Sequence, residues 1–181
     1  WHVVSYNNDG TVEKRQTFQG KNDDSSWARG QAWAVYGYTA CYRETKDTTF
    51  LNFAVKVADM IMARVKTDDA IPYWDYDAPV TNETPRDASA ASVTASALIE
   101  LSTMVPDGKK YLDYAEKILK SLSSDAYLAK TGENQGFILM HSTGSLPNGS
   151  EIDTPLNYAD YYYLEALKRF MDLEGISYNS L

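Results

Sequence analysis

Apolar and polar positions change rhythm several times along the chain. Residues 1–20 alternate over His2-Val3-Val4-Ser5-Tyr6, turn at Asn7-Asn8-Asp9-Gly10 and return over Thr11-Val12-Glu13-Lys14-Arg15, which predicts a short β-hairpin. Residues 27–44 are apolar nearly all round (Trp27, Ala28, Ala32, Trp33, Ala34, Val35, Tyr36, Tyr38, Ala40, Cys41, Tyr42), the pattern of a helix enclosed on every side. Residues 48–65 place Phe50, Leu51, Ala54, Val55, Ala58, Ile61, Met62 and Val65 on one stripe and leave Asn52, Lys56, Asp59 and Arg64 outside it, which predicts a one-faced outer helix. The pair recurs. Residues 88–104 hold no charge before Glu100 and are small and apolar all round, and 109–122 align Tyr111, Leu112, Ala115, Ile118, Leu119 and Leu122. A fifth helix is expected over about 158–172.

The second member of each pair repeats in detail. Phe50-Leu51, Ala54, Lys56 and Ala58 match Tyr111-Leu112, Ala115, Lys117 and Leu119 at a constant offset, 111 − 50 = 61, and YYYLEAL at 161–167 echoes ASALIEL at 95–101. Two-helix repeats cannot bury their apolar faces alone and must stack on neighbours. An inner ring inside an outer ring satisfies helices that need burial on all sides, whereas an open solenoid leaves one face of each pair in water. The expected fold is therefore all-α: part of an α/α toroid of about five helices in inner and outer pairs, with an N-terminal hairpin and long rim loops. Residues 1–181 are read as one partial domain, too short for a closed ring.

Links from inner to outer helix are tight (46–48 and 106–108), while those from outer to inner are long, about 66–87 and 124–157. Connections beyond ~12–15 residues are uncommon and tend to be functional, and in an up-and-down ring all of these fall on the rim where the inner helices begin. That rim is the expected working face.

Charge narrows the ligand. A formal net charge of −8 with no basic stripe argues against nucleic acid, so an anionic ligand needs a local cation. No apolar run approaches the ~20 residues that cross a bilayer, and WHVVSYNNDG lacks the progression of a signal peptide. The start on Trp1 is compatible with an upstream segment or a processed signal. Cys41 is the only cysteine and is expected to be a buried small hydrophobe.

The rim segments set aromatic rings beside hydrogen-bonding groups, which suits a sugar with apolar C–H faces and a belt of hydroxyls. Arg29 sits in the first turn of an otherwise uncharged helix, where a guanidinium needs an anionic ligand or a structural partner such as Asp23 or Asp24. Trp33 lies one turn further along the same face, and Trp27 and Trp33 are each core or ligand platform. Paired carboxylates cleave glycosidic bonds, and the candidates are Asp23 with Asp24, Asp75 with Asp77, and Asp87. Asp24 and Asp87 are also placed to cap the helices that follow them. His2 and His141 are the only histidines and support no metal-site expectation.

WARGQAW at 27–33, with TFQG at 17–20 before it and PYWDYDAP (72–79), PRDASA (85–90) and ADYYYLEAL (159–167) after it, resembles the unsaturated glucuronyl hydrolases, glycoside hydrolase family 88. The related unsaturated rhamnogalacturonyl hydrolases of family 105 vary at the first motif. The resemblance runs from His2 to about residue 170 and implies roughly the C-terminal half of an (α/α)6 barrel from a bacterial enzyme of the cytoplasm or periplasm. It implies removal of a 4,5-unsaturated uronic acid from lyase-generated oligosaccharides by hydration of a vinyl ether, without a cofactor or metal. It also implies substrate contacts from His2, Gln19, Trp27, Arg29 and Trp33. No segment matches the family's two catalytic aspartates, so no catalytic residue is expected in this chain. Expected partners are the unsaturated oligosaccharide and either the other half of the barrel or a second copy. The alternative is a non-catalytic uronate-binding or helical scaffold module.

Overall fold

The structure, a computed structural model, describes residues 1–177. An antiparallel hairpin, β1 (Val3–Tyr6) and β2 (Val12–Gln16), precedes five helices: α1 (Ala28–Thr45), α2 (Thr48–Arg64), α3 (Ala88–Ser102), α4 (Lys109–Leu122) and α5 (Asn157–Glu174). The hairpin pairs Val3 with Gln16 and Val4 with Arg15, and a register shift after Ser5 places Tyr6 opposite Val12.

Inner and outer helices alternate as the repeat predicts. The centre is α3, which packs against α1, α4 and α5, while α2 leans mainly on α1. Every residue of α3 from Ala88 to Ile99, and Leu101, is buried. A helix of alanines and serines tolerates this because small side chains let neighbouring backbones approach. Its hydroxyls are also paired, Ser92 donating to the Ser89 carbonyl at 3.0 Å and Thr94 to the Ala90 carbonyl at 2.7 Å. The outer helices bury one stripe each, Ala54, Val57, Ala58 and Ile61 on α2 and Tyr111, Ala115, Ile118, Leu119 and Leu122 on α4. The link into α4 is tight enough that a Cβ at Gly108 would stand 1.8 Å from the Ser102 carbonyl oxygen.

Three expectations are corrected. The helix α1 is not enclosed: it buries Ala28, Arg29, Ala32, Val35 and Thr39, while Gly37 and Cys41 are exposed. Burial on every side requires neighbours on every side, and α1 packs mainly against α2 and α3. Cys41 is accordingly an exposed free thiol and not a core residue. Asp24 does not cap α1; Trp27 occupies that position without a side-chain bond, and the Ala28 N–H donates to the Trp74 carbonyl at 3.0 Å. Asp87 does cap α3, accepting from the Ser89 and Ala90 amides.

The long loops are strapped down. Asp75, buried, accepts from the Lys21 amide at 2.9 Å, the Ser25 hydroxyl at 2.8 Å and the Asp77 amide at 2.9 Å. Asp77 accepts from the Ser26 amide at 2.9 Å and pairs with Arg64 at 2.6 Å. Both carboxylates thereby fasten the rim to the start of α1. Asp69 ties three segments together, meeting Arg86 at 3.0 Å, the Ile71 amide at 3.0 Å and the Tyr127 hydroxyl at 2.7 Å. The approach to α5 is held by Asp160, which accepts from the Ile138 and Leu139 amides at 2.8 and 2.9 Å.

Candidate functional site

The five side chains singled out in the sequence converge at the rim end of α1. Trp27 forms the wall at the helix start and is nearly buried. The His2 ring, carried on the first residues of the hairpin, lies against it with centroids 4.7 Å apart, and His2 Nδ1 is 3.3 Å from the Thr17 hydroxyl. Partial burial lowers the His2 pKa, and the N-terminal ammonium and Arg29 reinforce the effect. His2 is thus biased toward the neutral imidazole.

Arg29 is sandwiched between two rings, its Cζ lying 4.7 Å from the Trp27 centroid and 5.4 Å from that of Tyr158. It is 2% exposed. Nη1 donates to Asp87 Oδ2 at 3.0 Å, the Ser89 hydroxyl at 3.3 Å and the Thr143 carbonyl at 2.5 Å, and Nη2 donates to the Gly144 carbonyl at 2.5 Å. The carboxylate that meets Arg29 is therefore Asp87 on the next inner helix, not Asp23 or Asp24. Asp23 instead accepts from the Thr17 amide at 2.7 Å.

Asp87 is fully enclosed. Its Oδ1 accepts from the Ser89 amide at 3.1 Å, the Ala90 amide at 3.3 Å, the Thr143 amide at 3.4 Å and the Ser89 hydroxyl. Burial pushes the Asp87 carboxyl up, and Arg29 foremost among its donors opposes that rise. Gln19 reaches the same cluster from the tail of the hairpin, its Nε2 donating to the Gly144 carbonyl at 2.9 Å. Trp33 continues the aromatic wall one turn along α1, 6.5 Å from Tyr158 and 5.0 Å from Tyr162 between centroids. Burial pushes the Tyr158 hydroxyl up to about 12, with Arg29 opposing, so it is a neutral hydrogen-bonding group.

The arrangement presents aromatic faces beside a guanidinium, an amide and an imidazole, a combination suited to a sugar ring bearing a carboxylate. A free carboxylate pair is not among its parts: Asp75 and Asp77 are engaged in the loop straps and Asp87 is buried in its ion pair. Among the described residues no group of three or more His, Cys, Asp or Glu side chains gathers as a metal cradle, and no helix is long and apolar enough to cross a membrane.

A family model of glycosyl hydrolase family 47 matches residues 30–174. An unsaturated glucuronyl hydrolase of Formosa agariphila is 47% identical over 175 residues, which span 96% of this chain and 44% of the relative. One from a Bacillus species, strain GL1, is 34% identical over 164 residues, 88% of this chain and 43% of the relative. The crystal structure of an unsaturated glucuronyl hydrolase specific for heparin is similar at a TM-score of 0.93 and 57% identity, covering 97% of this chain and 48% of that one. The chain belongs to the glycosyl hydrolases and is similar in sequence and structure to the unsaturated glucuronyl hydrolases. It spans less than half the length of the glucuronyl hydrolases it matches. The matched model carries the number 47 where the motifs led to family 88. Its match begins at Gly30 and so leaves out Trp27 and Arg29 at the start of the WARGQAW motif.

Four features of the candidate site go beyond what the motifs mark. The Thr143 and Gly144 carbonyls are backbone acceptors, which no side-chain motif marks. Tyr158 stands one residue before the ADYYYLEAL stretch and was legible only as part of a helix start. Asp87 was read as a cap, which it is, but its second carboxylate oxygen also holds Arg29.

Proposed function

We propose that this chain is the substrate-binding part of a family 88 glycoside hydrolase that removes 4,5-unsaturated uronic acid from lyase-generated oligosaccharides. The observation that carries the reading is the convergence of His2, Gln19, Trp27, Arg29 and Trp33 on one rim cluster, although His2 precedes β1, Gln19 and Trp27 lie between β2 and α1, and Arg29 and Trp33 lie on α1. Names among the relatives support the substrate class, which covers glucuronyl substrates and, in one solved structure, heparin. The reaction is addition of water across a vinyl ether: a carboxylic acid protonates C4, water adds at C5, and the hemiketal collapses to release the sugar. In this reading Trp27 and Trp33 wall the unsaturated ring, Gln19 and His2 meet its hydroxyls, and Arg29 meets its carboxylate.

The acid lies outside this chain. Residues 1–181 form a single partial domain, the C-terminal portion of the barrel, and the remaining helices or a second copy complete it. Incubation with a 4,5-unsaturated uronate disaccharide tests this, followed by loss of the double-bond ultraviolet absorbance and by quenching of tryptophan fluorescence. The expected result is saturable binding without turnover, with binding weakened at least tenfold in Trp33→Ala. Turnover by the chain alone would refute the placement of the acid. Absence of binding would refute the uronate site.

A second reading, a non-catalytic uronate-binding module, is favoured by the engagement of Asp75, Asp77 and Asp87 in structural bonds. Turnover on adding the N-terminal half of a relative would decide for the enzyme.

A further inference from the structure

Arg29 is not a free cation waiting for an anion. Its guanidinium is 2% exposed, its charge is met by Asp87 at 3.0 Å, and three of its hydrogen bonds go to neutral oxygens. The Gly144 carbonyl is shared: it accepts from Arg29 Nη2 and from Gln19 Nε2. Asp87 also accepts from the Thr143 amide, so one carboxylate holds Arg29 with one oxygen and the backbone that presents the Thr143 and Gly144 carbonyls with the other.

We infer that Asp87 is a positioning residue of the uronate site: it fixes the orientation of Arg29, neutralises its charge and, through the 143–144 backbone, sets the position of Gln19. This rests on the uronate reading above. Without Asp87 the buried guanidinium would lose its fixed direction and turn away from the ligand's carboxylate. A guanidinium clamped by a carboxylate and two carbonyls offers only its remaining N–H donors in fixed directions. Recognition then depends on the geometry of the ligand's carboxylate and not on its charge alone. Gly144 has a matching constraint: a Cβ there would stand 2.1 Å from the Glu151 carboxylate and 2.6 Å from its Cβ, so the loop carries its carbonyl to the cluster only with glycine at this position.

The test measures binding of a 4,5-unsaturated uronate disaccharide and of its methyl ester to the 181-residue chain, to Asp87→Asn and to Gly144→Ala. Folding is checked by circular dichroism. Asn keeps a cap acceptor for α3 and removes the charge; Ala at position 144 displaces the shared carbonyl and leaves the Arg29–Asp87 pair in place. The expected result is that the parent chain prefers the acid over the ester. Each variant then binds the acid about tenfold or more weakly, on the order of one charge-assisted hydrogen bond, and loses the preference. General loosening of the fold weakens acid and ester together and leaves their ratio unchanged. Retention of the parent affinity and ratio in folded Asp87→Asn would overturn the inference and leave the uronate reading standing. If Asp87→Asn does not fold, an unchanged ratio in Gly144→Ala would overturn it equally. Failure of the parent chain to bind either ligand would remove the uronate reading, and the inference with it.

Discussion

The helices α1 and α3 are both inner, both poor in charge and both rich in small side chains. Yet α3 is buried from Ala88 to Ile99 while α1 shows Gly37 and Cys41 to solvent. Composition describes what a helix tolerates; its neighbours decide what it receives. The difference also separates roles. The enclosed helix contributes small packing surfaces and one buried carboxylate, and the open one carries Arg29 and Trp33 into the candidate site. The Arg29–Asp87 pair is the point at which they meet.

Breaking that pair is expected to have the largest effect. Arg29→Met strands an enclosed carboxylate and should cost about 3–5 kcal/mol, measured by urea unfolding. Arg29→Met combined with Asp87→Leu should cost less than Arg29→Met alone, because the stranded charge is gone. Next comes truncation on the enclosed helix: Leu98→Ala, at a fully buried position, should cost roughly 2–5 kcal/mol. A smaller, pH-dependent effect belongs to the straps. Burial raises the Asp69 pKa, but the Tyr127 hydroxyl, the Ile71 amide and Arg86 together outweigh it and hold the group below its ordinary value. A depressed carboxyl contributes stability that is fully present above its unfolded pKa of about 3.9 and is lost as pH falls through the folded value. Asp69→Asn should therefore flatten the fall of stability with acidification in that window, as read from thermal unfolding at a series of pH values. The smallest effect is expected at Cys41→Ala on the open face of α1, within about 0.5 kcal/mol, together with ready labelling of the parent thiol by a maleimide. A large cost or an unreactive thiol would mean that this face is covered, and the contrast between the two helices would fall.

Periodicity carried most of the fold. The expected spans 48–65 and 109–122 are the observed α2 and α4 to within a residue, because one apolar stripe at helical spacing has few other solutions. Enclosure was harder to read: Ala32, Val35 and Cys41 belong to one apolar set in the sequence, but only the first two are buried. At the candidate site the side chains themselves were legible through their motifs. Their partners were not, since Asp87 lies 58 residues beyond Arg29, and the Gly144 oxygen that joins Arg29 to Gln19 belongs to the backbone.

That oxygen has a consequence for the order of folding. Gln19 and Gly144 are 125 residues apart, and Arg29 and Gly144 are 115. Closing a long loop costs entropy that local helix formation does not, so contacts of this separation form late. During synthesis the hairpin and α1 leave the ribosome well before the acceptor that unites them, and the cluster around Arg29 is completed only after the segment following α4 has emerged.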